Sequence, residues 1–135
     1  MKYVKHEASD ESFLRKADAF CVYTIKILKD EDVCPKSARW LGADELIKIV
    51  QRIHTELHRA NNIKVTTSEE YKLRRAAQTN AYALVSTLSE KMSFNAQLYN
   101  IKTDKLTKWL THKGKVQAWI SSWIRSDDKR YGNIG

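Results

Sequence analysis

Proline and glycine are scarce, with one Pro and four Gly among 135 residues. So little turn chemistry argues against a many-stranded β fold. No run of about 18 apolar residues occurs, so no membrane-spanning helix is expected and no membrane partner either. The two cysteines, Cys21 in a helical pattern and Cys34 in a link, are too few for a disulfide framework and point to a reducing, cytoplasmic setting. The opening residues Met1–His6 carry charge with no apolar stretch behind them, so no secretory signal is expected. Also missing are a Gly-rich phosphate loop, an acidic pair arranged for two metals, and a Ser/His/Asp arrangement. No catalytic residues, metal or cofactor are therefore expected.

Acidic residues thin out along the chain. Residues 1–33 have net charge −1, residues 34–101 net +4 and residues 102–130 net +5, within an overall +8. Such asymmetry fits a nucleic-acid or acidic partner, with plain solubility as the alternative. The 42% hydrophobic content is ample for one buried core.

Four segments repeat an apolar period near 3.6. Phe13, Leu14, Ala17, Phe20, Cys21, Thr24, Ile25 and Leu28 share one helix face. Leu46, Ile49, Val50, Ile53, Leu57 and Ala60 form the second stripe. Leu73, Ala77, Ala81, Leu84, Val85, Leu88 and Met92 form the third, and Leu106, Trp109, Leu110, Val116, Ile120, Trp123 and Ile124 the fourth. Acidic residues near each start (Asp10 and Glu11, Asp44 and Glu45, Glu69 and Glu70, Asp104) suit the positive end of a helix dipole. Thr67 and Glu70 have capping-box spacing, and Ser37 or Thr103 offers an N-cap oxygen. Links fall near 30–37, 61–67 and 93–102. Helices of about 20 residues, roughly 30 Å long, joined by short links favour antiparallel neighbours. The expected fold is all-α: an antiparallel, up-down-up-down four-helix bundle over residues 10–126, with flexible tails at 1–9 and 127–135. Lys113 sits inside the fourth apolar arc, where it must snorkel, pair or face something other than an ordinary core.

Lys48, Arg52 and Arg59 fall within about 40° of one another on the second helix, opposite its apolar stripe. Part of that stripe reads as ordinary helix pairing, of Lys48 with Asp44 and Glu45. On the fourth helix Lys105, Lys108, His112 and Lys115 form a row that Trp119, expected to be exposed, continues. Between Lys105 and Arg125 there are five Lys/Arg and no carboxylate. A cation row ending in an aromatic suits phosphate tracking with base stacking. Lys72, Arg74 and Arg75 on the third helix are further candidates.

Two weaker patterns lie on the second helix. His54 and His58 are four residues apart, but Glu56 is misplaced for a metalloprotease helix and no third metal ligand is evident. Arg52 and His58 have the Arg-x5-His spacing of HEPN-type ribonucleases, in which His serves as acid/base and Arg steadies phosphate charge. On one regular helix these two side chains point about 120° apart.

The stretch Cys34-Pro35-Lys36-Ser37-Ala38-Arg39-Trp40-Leu41-Gly42 resembles the start of helix two in the accessory variability determinant proteins of diversity-generating retroelements. Leu57-His58-Arg59-Ala60-Asn61 resembles that family's close of the same helix. Lys113-Gly114-Lys115 followed by Trp119-Ile120-Ser121-Ser122-Trp123-Ile124 resembles its final helix, with Ser122 where many members have Gly. The resemblance covers roughly residues 13–125. It implies a non-enzymatic accessory subunit, a homopentamer of four-helix bundles that binds the reverse transcriptase and template RNA, with cDNA as a further partner, in mutagenic reverse transcription. It also implies binding roles for Lys36, Arg39 and Lys115. A HEPN-like ribonuclease and a protein-only scaffold, like the bundles encoded in ribosomal RNA intervening sequences, are the alternatives.

Overall fold

The computed structural model describes residues 2–134, with side chains from Ser12 onward. Four long helices account for most of the chain: α1 (Lys2–Lys29), α2 (Ala43–Asn62), α3 (Ser68–Leu98) and α4 (Thr103–Tyr131). A short 3-10 segment, Lys36–Leu41, precedes α2. Among the described residues there is no strand.

Several boundaries differ from those expected. Helix α1 starts at Lys2 with no acid in its first turn, so Asp10 and Glu11 lie within it. The side chains of the expected tail 1–9 are outside the described residues. Helix α4 runs on to Tyr131, beyond the predicted end at 126, and buries Asp127 completely. Helix α3 continues to Leu98, which shortens the last link.

The helix ends have identifiable causes. Thr67 and Glu70 form the expected capping box at the start of α3, with Thr67 Oγ1 accepting from Glu70 N–H at 3.2 Å. Hydrogen bonds donated to the Glu70 carboxylate by the hydroxyl and backbone N–H of Thr66, and then of Thr67, hold that carboxyl below its ordinary range. The N-caps of α2 and α4 are Gly42 and Lys102, neither with a side-chain cap, so Ser37 and Thr103 do not play that part. Helix α3 stops where Asn100 takes a left-handed φ of 54°. Ile101 N–H then bonds back to Ala96 C=O at 2.9 Å, the closing bond of a Schellman motif.

Helix α1 packs on α2 and α4, α2 on α3, and α3 on α4. Cross-helix partners join the end of α1 to the start of α4 and the start of α3 to the end of α4, and tie the second half of α1 to that of α2. Asp18 meets His58, Thr24 meets Trp109, and Arg74 meets Asp127. The fully buried side chains include Leu28, Leu46, Ile53, Leu57, Leu88, Met92, Trp109, Ile120 and Trp123. Burial of each such side chain contributes about 1.5–3 kcal/mol. Thr24, the polar residue in the first stripe, is there for a reason. Its hydroxyl donates to Phe20 C=O and accepts from the Trp109 indole N–H at 2.8 Å. The Tyr99 hydroxyl likewise donates to Ala38 C=O and accepts from Ala43 N–H, fastening the 3-10 segment and the start of α2 to the end of α3.

Candidate nucleic-acid interface

Helices α1 and α4 leave between them a groove of about 760 Å³. Its α1 side presents Phe13, Lys16, Phe20 and Tyr23, spaced 3, 4 and 3 residues apart. Its α4 side presents Lys108, His112, Lys115 and, deeper, Trp119. The intervals between Lys105, Lys108, His112 and Lys115 are the same 3, 4 and 3, so both rows follow one face of their helices. Aromatic contacts join the two sides. Phe13 stacks on Trp119 with ring centroids 5.7 Å apart, and Tyr23 meets His112 edge-on at 6.2 Å. Lys16 Nζ lies 5.4 Å from the Phe13 ring centre, a cation–π distance.

Among the described residues no carboxylate lines this groove. Lys108, His112 and Lys115 are exposed and Lys105 is half-buried. None of Lys16, Lys105, Lys108 or Lys115 has an ion pair among the described residues. The site therefore combines an apolar floor with free positive charge at the rim. Planar anionic ligands suit such a floor and rim.

Trp119 departs from expectation. It is 5% exposed, sandwiched between Phe13 and Trp123, the latter at a centroid distance of 5.2 Å. It forms floor, not surface, because α1 covers α4 at that level. Its indole N–H has no hydrogen-bond partner among the described residues.

Three arginines proposed for binding are structural. Arg74 is buried and makes a bidentate pair with Asp127, Nε to Oδ2 at 2.6 Å and Nη2 to Oδ1 at 3.0 Å. Gln78 also donates to Asp127, and Arg74 Nη1 donates to Ile63 C=O at the close of α2. The Arg74 guanidinium lies over the Trp123 ring at 5.1 Å. Arg75 pairs with Asp128, which also accepts from the Tyr71 hydroxyl. Arg39 donates to Lys29 C=O at 2.7 Å and Cys34 C=O at 3.4 Å, closing the link after α1.

Lys36, Lys48, Arg52 and Lys72 are exposed and carry no ion pair among the described residues. Glu45 pairs with Lys91 on α3 at 2.6 Å, not with Lys48 as helix spacing predicts. Arg59 is exposed beside Glu56 at 3.5 Å. Because α2 packs on α1 and α3, its basic stripe is not joined to the α4 row. Lys113 snorkels to Gln117 Oε1 at 3.0 Å. Gly114 faces open space, so it is not a point of close helix approach.

Sequence reasoning missed the α1 half of the groove. Phe13 and Phe20 were assigned wholly to the core stripe, and Lys16 and Tyr23 were not singled out. The 3-4-3 spacing of Phe13, Lys16, Phe20 and Tyr23 was the available signal.

The His54/His58 pair has a neighbour that the sequence did not reveal. His58 Nε2 lies 2.9 Å from both Asp18 oxygens, and His54 Nε2 lies 3.4 Å from Asp18 Oδ1. One turn along α1 from Asp18, Cys21 is buried, and burial, reinforced by the Asp18 charge, pushes its thiol up to about 12. Cys21 is thus a protonated packing residue at neutral pH. Arg52, by contrast with His58, is exposed and has no partner among the described residues, so the two do not converge on one site.

No helix among the described residues is long and apolar enough to cross a membrane. No family model matches the chain, and neither a curated protein nor a solved structure gives a significant match.

Proposed function

We propose that this chain is a non-enzymatic, cytoplasmic nucleic-acid-binding accessory protein, folded as an up-down-up-down antiparallel four-helix bundle. The cyclic packing of α1, α2, α3 and α4 supports the bundle, with Thr24 late in α1 meeting Trp109 early in α4 and Arg74 early in α3 meeting Asp127 late in α4. One observation carries the function. Among the described residues, Lys16, Lys108 and Lys115 have no ion pair and the aromatic-floored groove they surround has no carboxylate in its lining. Phosphates meet the lysines, and an unstacked base or a partner's aromatic side chain meets Phe13 and Tyr23. Lys105 extends the row toward the start of α4.

The resemblance to the accessory variability determinant family gives the reading its partners: a reverse transcriptase, its template RNA and the growing cDNA. A homopentamer would gather about +40 of formal charge in one particle, so affinity should depend steeply on salt.

The test is RNA affinity as a function of salt. Log affinity should fall linearly with log salt, with a slope of roughly 0.9 for each phosphate neutralised, less on single strands. Replacing Lys105, Lys108 and Lys115 together with Glu should abolish binding and leave the helical signal unchanged. A flat salt response would favour the protein-only scaffold. RNA cleavage lost on His58→Ala would favour the ribonuclease.

A further inference from the structure

We infer that Asp18, His54 and His58 form a binding site for one divalent first-row transition ion of the zinc class. The ligands come from two helices. His54 and His58 stand one turn apart on α2, which puts both imidazoles on one side of that helix. Their ring centroids are 4.3 Å apart. Asp18 reaches them from α1, its Oδ1 lying 2.9 Å from His58 Nε2 and 3.4 Å from His54 Nε2. One ligand atom from each of the three residues lies within 4.8 Å of the other two.

Tetrahedral ligands held about 2.0–2.1 Å from zinc stand about 3.3–3.4 Å from one another. The two separations to Asp18 lie close to that spacing, and the three donor atoms are all within 4.8 Å of one another. Two imidazoles and one carboxylate suit zinc, copper, nickel or cobalt, whereas calcium and magnesium require oxygen ligands throughout. The side chains of His54, His58 and Asp18 are 50%, 35% and 31% exposed, which gives an ion a path in and leaves water the remaining coordination position. Asp18 Oδ1 lies within ion-pair distance of both Nε2 atoms, so the three donors already face one another as the ligands of a single ion must. All three ligands sit on regular helices that already pack together, so little ordering opposes binding. A bound ion ties α1 to α2 and stabilises the fold in proportion to its occupancy.

Untagged full-length protein titrated with ZnCl2 against a chromophoric chelator should bind one Zn2+ per chain. The melting temperature should rise with Zn2+, and Co2+ should give visible absorption from a site with imidazole ligands. His54→Ala, His58→Ala and Asp18→Asn should each weaken Zn2+ by more than about tenfold, the range that even outer-shell losses reach. His112→Ala, in the groove, should leave it unchanged. Circular dichroism checks that each variant keeps its helices. His54→Ala is decisive should His58→Ala unfold, since His54 is half-exposed and makes only the longer contact. Absence of Zn2+ binding, or binding indifferent to His54 and Asp18, overturns the proposal. RNA affinity is read separately, because none of these ligands lines the groove.

Discussion

The middle of α4 and its end meet opposite fates. From the start of α4 to its middle, Lys105, Lys108 and Lys115 have no ion pair among the described residues. Near the end, Asp127 and Asp128 meet Arg74 and Arg75 from α3. Those two arginines and the three lysines look equivalent as charges in a sequence, yet only the lysines lack an ion pair among the described residues. The distinction comes from the adjoining helix. Where α3 approaches α4, charge is consumed in holding helices together, and where α1 approaches, it is left over. Charge that has no internal use is the better indicator of a partner.

Substitutions on the two sides of this contrast separate these roles, and the largest effect is expected at the buried one. Asp127→Ala leaves the Arg74 guanidinium buried without its counter-charge, and removing one partner of a buried pair costs about 3–5 kcal/mol. Urea unfolding should show that loss. A variant that unfolds at the same denaturant concentration as the parent would mean that Arg74 finds its way to solvent. The next effect concerns the groove and should leave stability alone. Lys16→Ala should lower the slope of log affinity against log salt by about 1, as expected for the loss of one phosphate contact. Lys72→Ala, equally exposed but on α3, should leave the slope unchanged. Equal responses would dissolve the contrast between groove and general surface.

The sequence carried the four helices because their apolar stripes recur over many turns. It also carried the α3 capping box, which is local. It failed where a neighbouring helix decides. The third stripe starts with Leu73 in the periodic reading, but Leu73 is 62% exposed and Arg74 takes the inner position. The stripe rotates by one residue there because Asp127, more than fifty positions away, offers Arg74 a bidentate partner inside. Trp119 lies in the same helical arc as the lysines but is covered, because Phe13 of α1 stacks on it. Asp18 escaped notice as a companion to the histidines for the same reason. Its nearness depends on how α1 packs against α2, and no spacing within one helix records that.

The smallest expected effect concerns the outer member of the α3–α4 pairing. Asp128 accepts from Arg75 and from the Tyr71 hydroxyl, and these bonds, Arg75 first, hold its carboxyl below the usual range. A depressed carboxylate stabilises the fold above its unfolded value, about 3.9, and loses that contribution as pH falls through its folded value. The side chains of Asp128 and Arg75 are 47% and 35% exposed. Solvent screening therefore keeps the contribution below about 1 kcal/mol. Asp128→Asn resembles the protonated acid. The stability gap between parent and variant should accordingly be steady from pH 5 to 8, narrow below about pH 4, and vanish once the parent's own carboxyl is protonated. Tyr71 sets the alkaline limit. Burial first, then its bond to Asp128, raises its hydroxyl above the ordinary value. Its contribution is complete below about pH 10 and is lost as pH rises through the folded value. A gap that stays constant into strong acid would show that shape, not charge, is what Asp128 supplies to Arg75. The seam at the end of α4 would then hold its outer arginine no more firmly than the groove holds its lysines.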